Sequence, residues 1–223
     1  PHFLQRPDNI CSETENHTFY MQAPLRSKPS VESASYRVYE LPTEAPSFAS
    51  SQLVVDPSDP EASPYGWHDG DASPSVDVTN LDGTNTYAYN DGNGDYLPDN
   101  DVDGGTQLKF DLPYDFVAEP SFSKNAAAVN LFYMINMMHD FSWHFGFTEE
   151  AGNFQKINYT SQGAGGDAVT GLSQYSNGTT EKNNADFSTP TDGNSGVMRM
   201  FLWDNSSGIF SATAPNETFT NYP

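Results

Sequence analysis

The chain has one cysteine and few basic residues. Of its 223 residues nine are Lys or Arg and thirty are Asp or Glu, which gives a formal charge of −21. Such a surface repels nucleic-acid phosphates and anionic lipids, so we expect no nucleic-acid and no membrane partner. No stretch reaches the ~18 apolar residues that a membrane-spanning helix needs. Since Cys11 is alone, the chain has no internal disulfide framework, and Cys11 is either free or paired with another chain.

Glycosylation sequons are the main clue to the compartment. Five Asn-x-Ser/Thr triplets in a chain of this length predict a glycoprotein that is secreted from a eukaryotic cell and is extracellular. The chain does not open on a signal peptide, so we expect a segment of a longer, processed precursor. The five sequons begin at Asn16, Asn158, Asn177, Asn205 and Asn216.

The patterning predicts an α+β fold, a β-rich and loop-rich lobe with one long buried helix. Sixteen Pro and seventeen Gly indicate many loops. We expect an extended arm or processed leader remnant over residues 1–33, the lobe over 34–204, and a polar, glycosylatable tail over 205–223. Alternation and apolar runs predict strands over residues 34–41, 76–79, 86–89, 106–112 and 197–203.

The helix is predicted over residues 124–145. Leu131, Ile135, Met138 and Phe145 recur at helical spacing. Ser123 is the expected N-cap and Gly146 the expected left-handed residue after the last turn. Because the helix is apolar on most of its circumference, we expect it to be buried.

Other side chains of this helix have expected roles too. We expect Phe141, Trp143 and Phe145 to lie in the core. His139 and Asp140 are adjacent, which predicts a hydrogen-bonded structural pair. A metal site formed by these two residues and His144 is the less favoured alternative.

A loop rich in Asp, Asn and Gly over residues 90–105 is a candidate calcium site. Calcium takes ~6–8 oxygen ligands, and alternating Asp and Asn in a Gly-containing loop supply them. The bidentate Glu of an EF-hand is missing, so the alternative is an ordinary solvated acidic turn. The candidate ligands are Asp91, Asn93, Asp95, Asp99, Asp101 and Asp103.

Four groups of short motifs, in register, resemble the fungalysin family of secreted zinc metallopeptidases. The resemblance extends from about residue 34 to residue 204. The motifs are ASYRVY (34–39) with ASPYGWH (62–68); NLFY (130–133) with HD (139–140) and GFTE (146–149); GNFQ (152–155) with GDAV (166–169); and NNADF (183–187) with MRMFLW (198–203).

The resemblance implies the N-terminal lobe of a thermolysin-like peptidase, upstream of the zinc helix. In that family a His-Glu-x-x-His helix and a later Glu hold the zinc, and the first Glu is the general base. None of the five histidines here forms that motif, and His139 and His144 are about 140° apart around a helix. We therefore expect no catalytic residue in this chain, zinc only with the C-terminal half, and no hydrolysis by the chain alone.

The resemblance also implies a substrate-binding edge strand at residues 183–187. In thermolysin-like enzymes an Asn side chain and backbone groups bind an extended peptide there, which nominates Asn183, Asn184 and Ala185; the alternative is an ordinary turn and strand.

Two functions remain open at this point. The first is the N-terminal segment of a zinc metalloendopeptidase, with a peptide or protein substrate and the C-terminal half of the same precursor as partner. The second is a non-catalytic, glycosylated, calcium-binding subunit of an extracellular assembly, whose partner is another subunit.

Overall fold

Two β-sheets and one long helix make up the described part of the chain. The computed structural model describes residues 33–203 except 44, 45, 47, 74–77, 179 and 180. The predicted α+β class is confirmed. The strands are β1 (Ser35–Val38), β2 (Gln52–Val55), β3 (Thr86–Asn90), β4 (Lys109–Phe110), β5 (Val169–Tyr175), β6 (Ala185–Ser188) and β7 (Val197–Phe201).

The two sheets differ in size and in the relative direction of their strands. The smaller has the order β2–β1–β4, with β1 antiparallel to β2 and parallel to β4. The larger has the order β3–β5–β7–β6. Strands β3, β5 and β7 are parallel, whereas β6 runs antiparallel to β7 and forms one edge.

Helix α1 (Lys124–Trp143) follows a short 3₁₀ turn. The predicted cap by Ser123 is wrong, because its hydroxyl accepts the N–H of Asp115 at 3.0 Å instead of an N–H of the helix. Gly146 has φ 93°, as expected for a left-handed residue after the helix. Among the described residues no helix is long and apolar enough to cross a membrane.

The helix lies between the two sheets and packs against β1, β3 and β5. Val129 and Phe132 face the aromatic core of the smaller sheet, whereas Leu131 and Ile135 pack near Val169 of β5. The contact with β5 is close at Gly171, where an added Cβ would lie 2.7 Å from the Ile135 side chain. A larger residue at position 171 would therefore force the Ile135 side chain to shift where the helix crosses this strand.

Several predicted strands are shorter or absent. β4 contains two residues rather than the seven predicted, because Leu108 adopts φ 48° and interrupts the extended chain. Residues 78 and 79 form no strand, and residues 76 and 77 lie outside the described part. The sequence pattern did not predict β5, the strand that pairs with both β3 and β7.

His68 is buried inside the aromatic core. Its ring stacks on Phe110 at 5.3 Å and on Phe132 at 5.1 Å between centroids, and Nε2 lies 2.7 Å from the Tyr36 hydroxyl. Burial lowers the pKa of His68 to about 4, because the apolar surroundings disfavour the charged imidazolium. The folded chain therefore requires a neutral imidazole.

This burial predicts acid destabilisation. His68 has a lower pKa in the folded than in the unfolded chain, so its contribution is fully present above about pH 6.5 and is lost as the pH falls towards 4. We expect a loss of roughly 3 kcal/mol of unfolding free energy across that window. In His68→Gln the loss should be smaller by this amount, as measured by urea unfolding at pH 7 and pH 4.

His144→Gln is the matched control for this experiment. His144 is exposed, and the neighbouring Asp59 carboxylate raises its pKa, so any effect of its titration has the opposite sign. If the unfolding free energy fell equally between pH 7 and pH 4 in His68→Gln and in the unsubstituted chain, the prediction would be contradicted.

Candidate functional site

Strand β6 is an edge strand whose outer side is partly covered by a side chain. Phe201 N–H donates to the Asn184 carbonyl at 3.2 Å, and antiparallel ladders alternate, so Ala185 turns its backbone polar groups away from β7. The Ala185 N–H instead donates to Oδ1 of Asn184 at 2.9 Å. One outward donor of this edge is thus bonded to a side-chain amide that can rotate.

The three residues predicted to bind substrate lie together at the start of β6. Asn183 has φ 55°, a conformation that Asn tolerates, and its N–H donates to the Leu202 carbonyl at 2.8 Å. Asn184 Nδ2 donates to the Glu181 carboxylate at 2.8 Å, and Ala185 is exposed. Their grouping at the sheet edge agrees with the prediction; their role in binding substrate stays a prediction.

An apolar groove of about 230 Å³ opens beside β6, between α1 and the larger sheet. Phe187 of β6 lines it and contacts Phe154, with ring centroids 5.6 Å apart. The sequence analysis did not identify this groove, since its walls come from six separate segments of the chain. Its other apolar lining residues include Leu131, Met134, Ile135, Met138, Phe147, Met198 and Met200.

The C-terminal end of α1 extends this apolar surface to the outside. Phe141 is 57% and Phe145 77% exposed, so the expectation that they lie in the core is wrong. Their rings contact each other with centroids 4.7 Å apart. Met138, which lines the groove, is one helical turn before Phe141. Groove and helix end thus form one apolar surface, which we call the α1 apolar face.

Asp140 is a buried residue of the helix whose carboxylate accepts four hydrogen bonds. Its buried carboxylate accepts the backbone N–H of Asp59 at 2.9 Å, the Ser63 hydroxyl at 2.7 Å and the Trp67 indole N–H at 2.8 Å. His139 Nδ1 donates a fourth bond at 2.9 Å. The predicted structural pair of His139 and Asp140 is confirmed, and it fixes the loop of residues 59–67 on α1.

The Asp-rich loop forms a tight turn around Asp91. The buried Asp91 carboxylate accepts the backbone N–H groups of Gly94, Asp95 and Tyr96 at 2.8, 3.1 and 2.9 Å. Asp99 accepts the N–H of Gly92 at 2.7 Å.

The other four candidate calcium ligands make hydrogen bonds of their own. Asn93 Nδ2 donates to Asp95 at 3.1 Å, Asp101 accepts the Asn80 amide at 3.0 Å, and Asp103 accepts the N–H of Gly105 at 2.8 Å.

The asparagines of two predicted sequons lie in the described part. Asn158 is half-buried and its Nδ2 donates to the Gln162 carbonyl at 2.7 Å. Asn177 is exposed in a left-handed turn beside Gly92. Cys11, Asn16, Asn205 and Asn216 lie outside the described residues, and glycosylation stays a prediction.

Zinc does not fit the described residues. Nowhere in residues 33–203, apart from the gaps stated above, do three His, Cys, Asp or Glu side chains meet as metal ligands. The same observation argues against the alternative metal site at His139, Asp140 and His144. We therefore assign no zinc-dependent step to this part of the chain.

Comparison with known proteins places the chain in a family. The family described as "Fungalysin metallopeptidase (M36)" matches residues 35–217. The chain is 38% identical over 176 residues to extracellular metalloproteinase 5 of Trichophyton tonsurans, covering 78% of this chain and 28% of that protein. It is 39% identical over 187 residues to extracellular metalloproteinase 10 of Coccidioides posadasii, covering 80% and 28%.

A third relative, extracellular metalloproteinase 1 of Arthroderma gypseum, is 37% identical over 174 residues, covering 78% of this chain and 27% of that protein. The chain therefore spans little more than a quarter of the length of these relatives. Since the family match covers more than half of the chain, the chain belongs to the fungalysin (M36) metallopeptidase family.

Proposed function

We propose that this chain is the N-terminal, substrate-binding segment of an extracellular zinc metalloendopeptidase with a thermolysin-like lobe. The observation that carries the proposal is the exposed edge of β6 beside the apolar groove. Asn183, Asn184 and Ala185 would bind the backbone of an extended peptide, and the zinc centre would be supplied by the rest of the precursor.

The edge of β6 has the groups that strand addition requires. A peptide that aligns with this edge forms main-chain hydrogen bonds with the outward N–H and C=O of Ala185. To do so it displaces the Asn184 side chain from the Ala185 N–H, and the freed amide then bonds the peptide. In the free chain the same Asn184 contact satisfies an edge donor.

The α1 apolar face supports the proposed partner. Isolated soluble proteins seldom expose contiguous apolar surface of this kind, and such patches mark interfaces. The relatives are more than three times longer than the region they share with this chain. We propose that the C-terminal half of the same precursor packs on this face and thereby brings its zinc next to β6.

The test uses the full-length precursor that contains this segment. We expect cleavage of casein that a zinc chelator abolishes, and a rise in KM of roughly tenfold in Asn184→Ala, because the substrate loses one or two hydrogen bonds. Asn194→Ala, at an exposed Asn in the β6–β7 loop, is the matched control and should leave KM unchanged. A folded precursor with no chelator-sensitive cleavage would overturn the proposal.

The alternative function, a non-catalytic calcium-binding glycoprotein subunit, depends on the Asp-rich loop. Burial raises the pKa of Asp91 although three backbone N–H groups donate to it, so a nearby cation would stabilise its ionised form. In the described structure no three of the loop carboxylates meet as metal ligands, so the loop would have to rearrange around a cation. Calcium binding at Asp91, Asn93, Asp95, Asp99, Asp101 and Asp103 stays a prediction.

The calcium prediction has a direct test. A cation that binds only the folded state raises the melting temperature, and at a calcium concentration 100 times Kd the gain is about 2.7 kcal/mol. We expect a higher melting temperature in calcium than in chelator, and no such difference in Asp91→Asn. Equal melting temperatures would remove the calcium site and, with it, the alternative function.

A further inference from the structure

Arg199 of β7 forms the main side-chain link to the edge strand. It lies directly opposite Asp186 of β6 in the antiparallel register. Its Nε donates to one Asp186 oxygen at 2.8 Å and its Nη2 to the other at 2.6 Å. This fork of two parallel bonds fixes the relative position of the two side chains more tightly than a single ion contact does.

The same guanidinium also contacts the neighbouring elements. It stands over the rings of Tyr175 and Phe201, 5.2 and 5.7 Å from their centroids, at distances typical of cation–π contacts. Its Nη1 donates to the Tyr96 hydroxyl at 3.3 Å. Arg199 therefore connects β6 to β5 and to the Asp-rich loop.

Tyr96 is itself held firmly in that loop. It has φ 64°, a left-handed conformation that is uncommon for an aromatic residue. Its N–H donates to Asp91 at 2.9 Å, and its carbonyl accepts the Tyr89 hydroxyl of β3 at 2.9 Å. The hydroxyl that meets Arg199 thus belongs to a side chain whose backbone is anchored to the opposite edge of the sheet.

Strand β6 depends on such a link because it is short and paired on one side. Phe187 faces the groove, whereas Asp186, the preceding residue of the strand, faces the opposite side and contacts Arg199. A four-residue edge strand that pairs with a single neighbouring strand opens locally more readily than a central strand. Any movement of β6 also moves Ala185, to which a peptide would bond.

We propose that Arg199 is a positioning residue for substrate: through Asp186 and Tyr96 it holds β6 in the place where a peptide strand is accepted. This inference rests on the proposed function. Arg199 need not touch the substrate. Arg199 holds β6 in its peptide-binding position before the substrate arrives, so that substrate binding does not have to order the strand.

The test compares Arg199→Gln, Arg199→Lys and Tyr96→Phe in the full-length precursor. We expect Arg199→Gln to raise KM roughly fivefold with kcat nearly unchanged, the pattern for lost ground-state binding. Arg199→Lys should recover part of the loss, since it keeps the charge without the fork. Tyr96→Phe, which removes only the hydroxyl contact, should raise KM less. The ion pair is about one-third exposed, so the effect should shrink at high salt.

Lys156→Gln is the matched control, because it breaks another half-exposed ion pair, with Asp82 at 2.7 Å, away from β6. Hydrogen–deuterium exchange of the same variants gives a readout that does not need activity. Amides of residues 184–188 should exchange faster in Arg199→Gln than in Lys156→Gln, while those of β3 should not change.

The outcomes separate this inference from the proposed function. A precursor without peptidase activity defeats the proposed function, and with it the substrate role of Arg199, while the exchange data still decide whether Arg199 anchors β6. If the precursor is active, faster exchange without a change in KM shows a merely structural residue and overturns the inference. A higher KM without faster exchange shows direct substrate contact and overturns it as well.

Discussion

The structure depends on the buried carboxylate of Asp140. Four donors converge on it, three of them from residues 59–67 and one from His139. A buried charge is tolerated only when its lone pairs are satisfied, so helix and loop have to form together. Because Trp67 donates to it, the Asp140 carboxylate also positions the aromatic core around Tyr36 and Phe132.

Helix α1 then sets the geometry of the candidate site. One side of the helix fills the core between the two sheets, and its C-terminal half forms one wall of the groove beside β6. On the other face of the sheet, Arg199 holds the same strand. The edge that we propose as the peptide-binding site is thus supported on both faces of the larger sheet.

Strong local patterns were predictable from the sequence, and contacts between distant segments were not. The spacing of Leu131 and Ile135 predicted α1, and the motif at residues 183–187 placed three candidate residues at the sheet edge. β5 was missed because it is buried on both faces and carries Gly171 and Gln174, so it shows no alternation. Nothing local indicates that Arg199 would meet Tyr96, 103 residues away.

The most direct measurement is the unfolding free energy of Asp140→Asn. The amide keeps the shape but turns an N–H₂ group towards donors that need an acceptor, so we expect a loss of about 2–4 kcal/mol. Asp103→Asn, at an exposed loop carboxylate, should lose less than about 1 kcal/mol. Equal losses in the two variants would contradict the view that Asp140 holds helix and loop together.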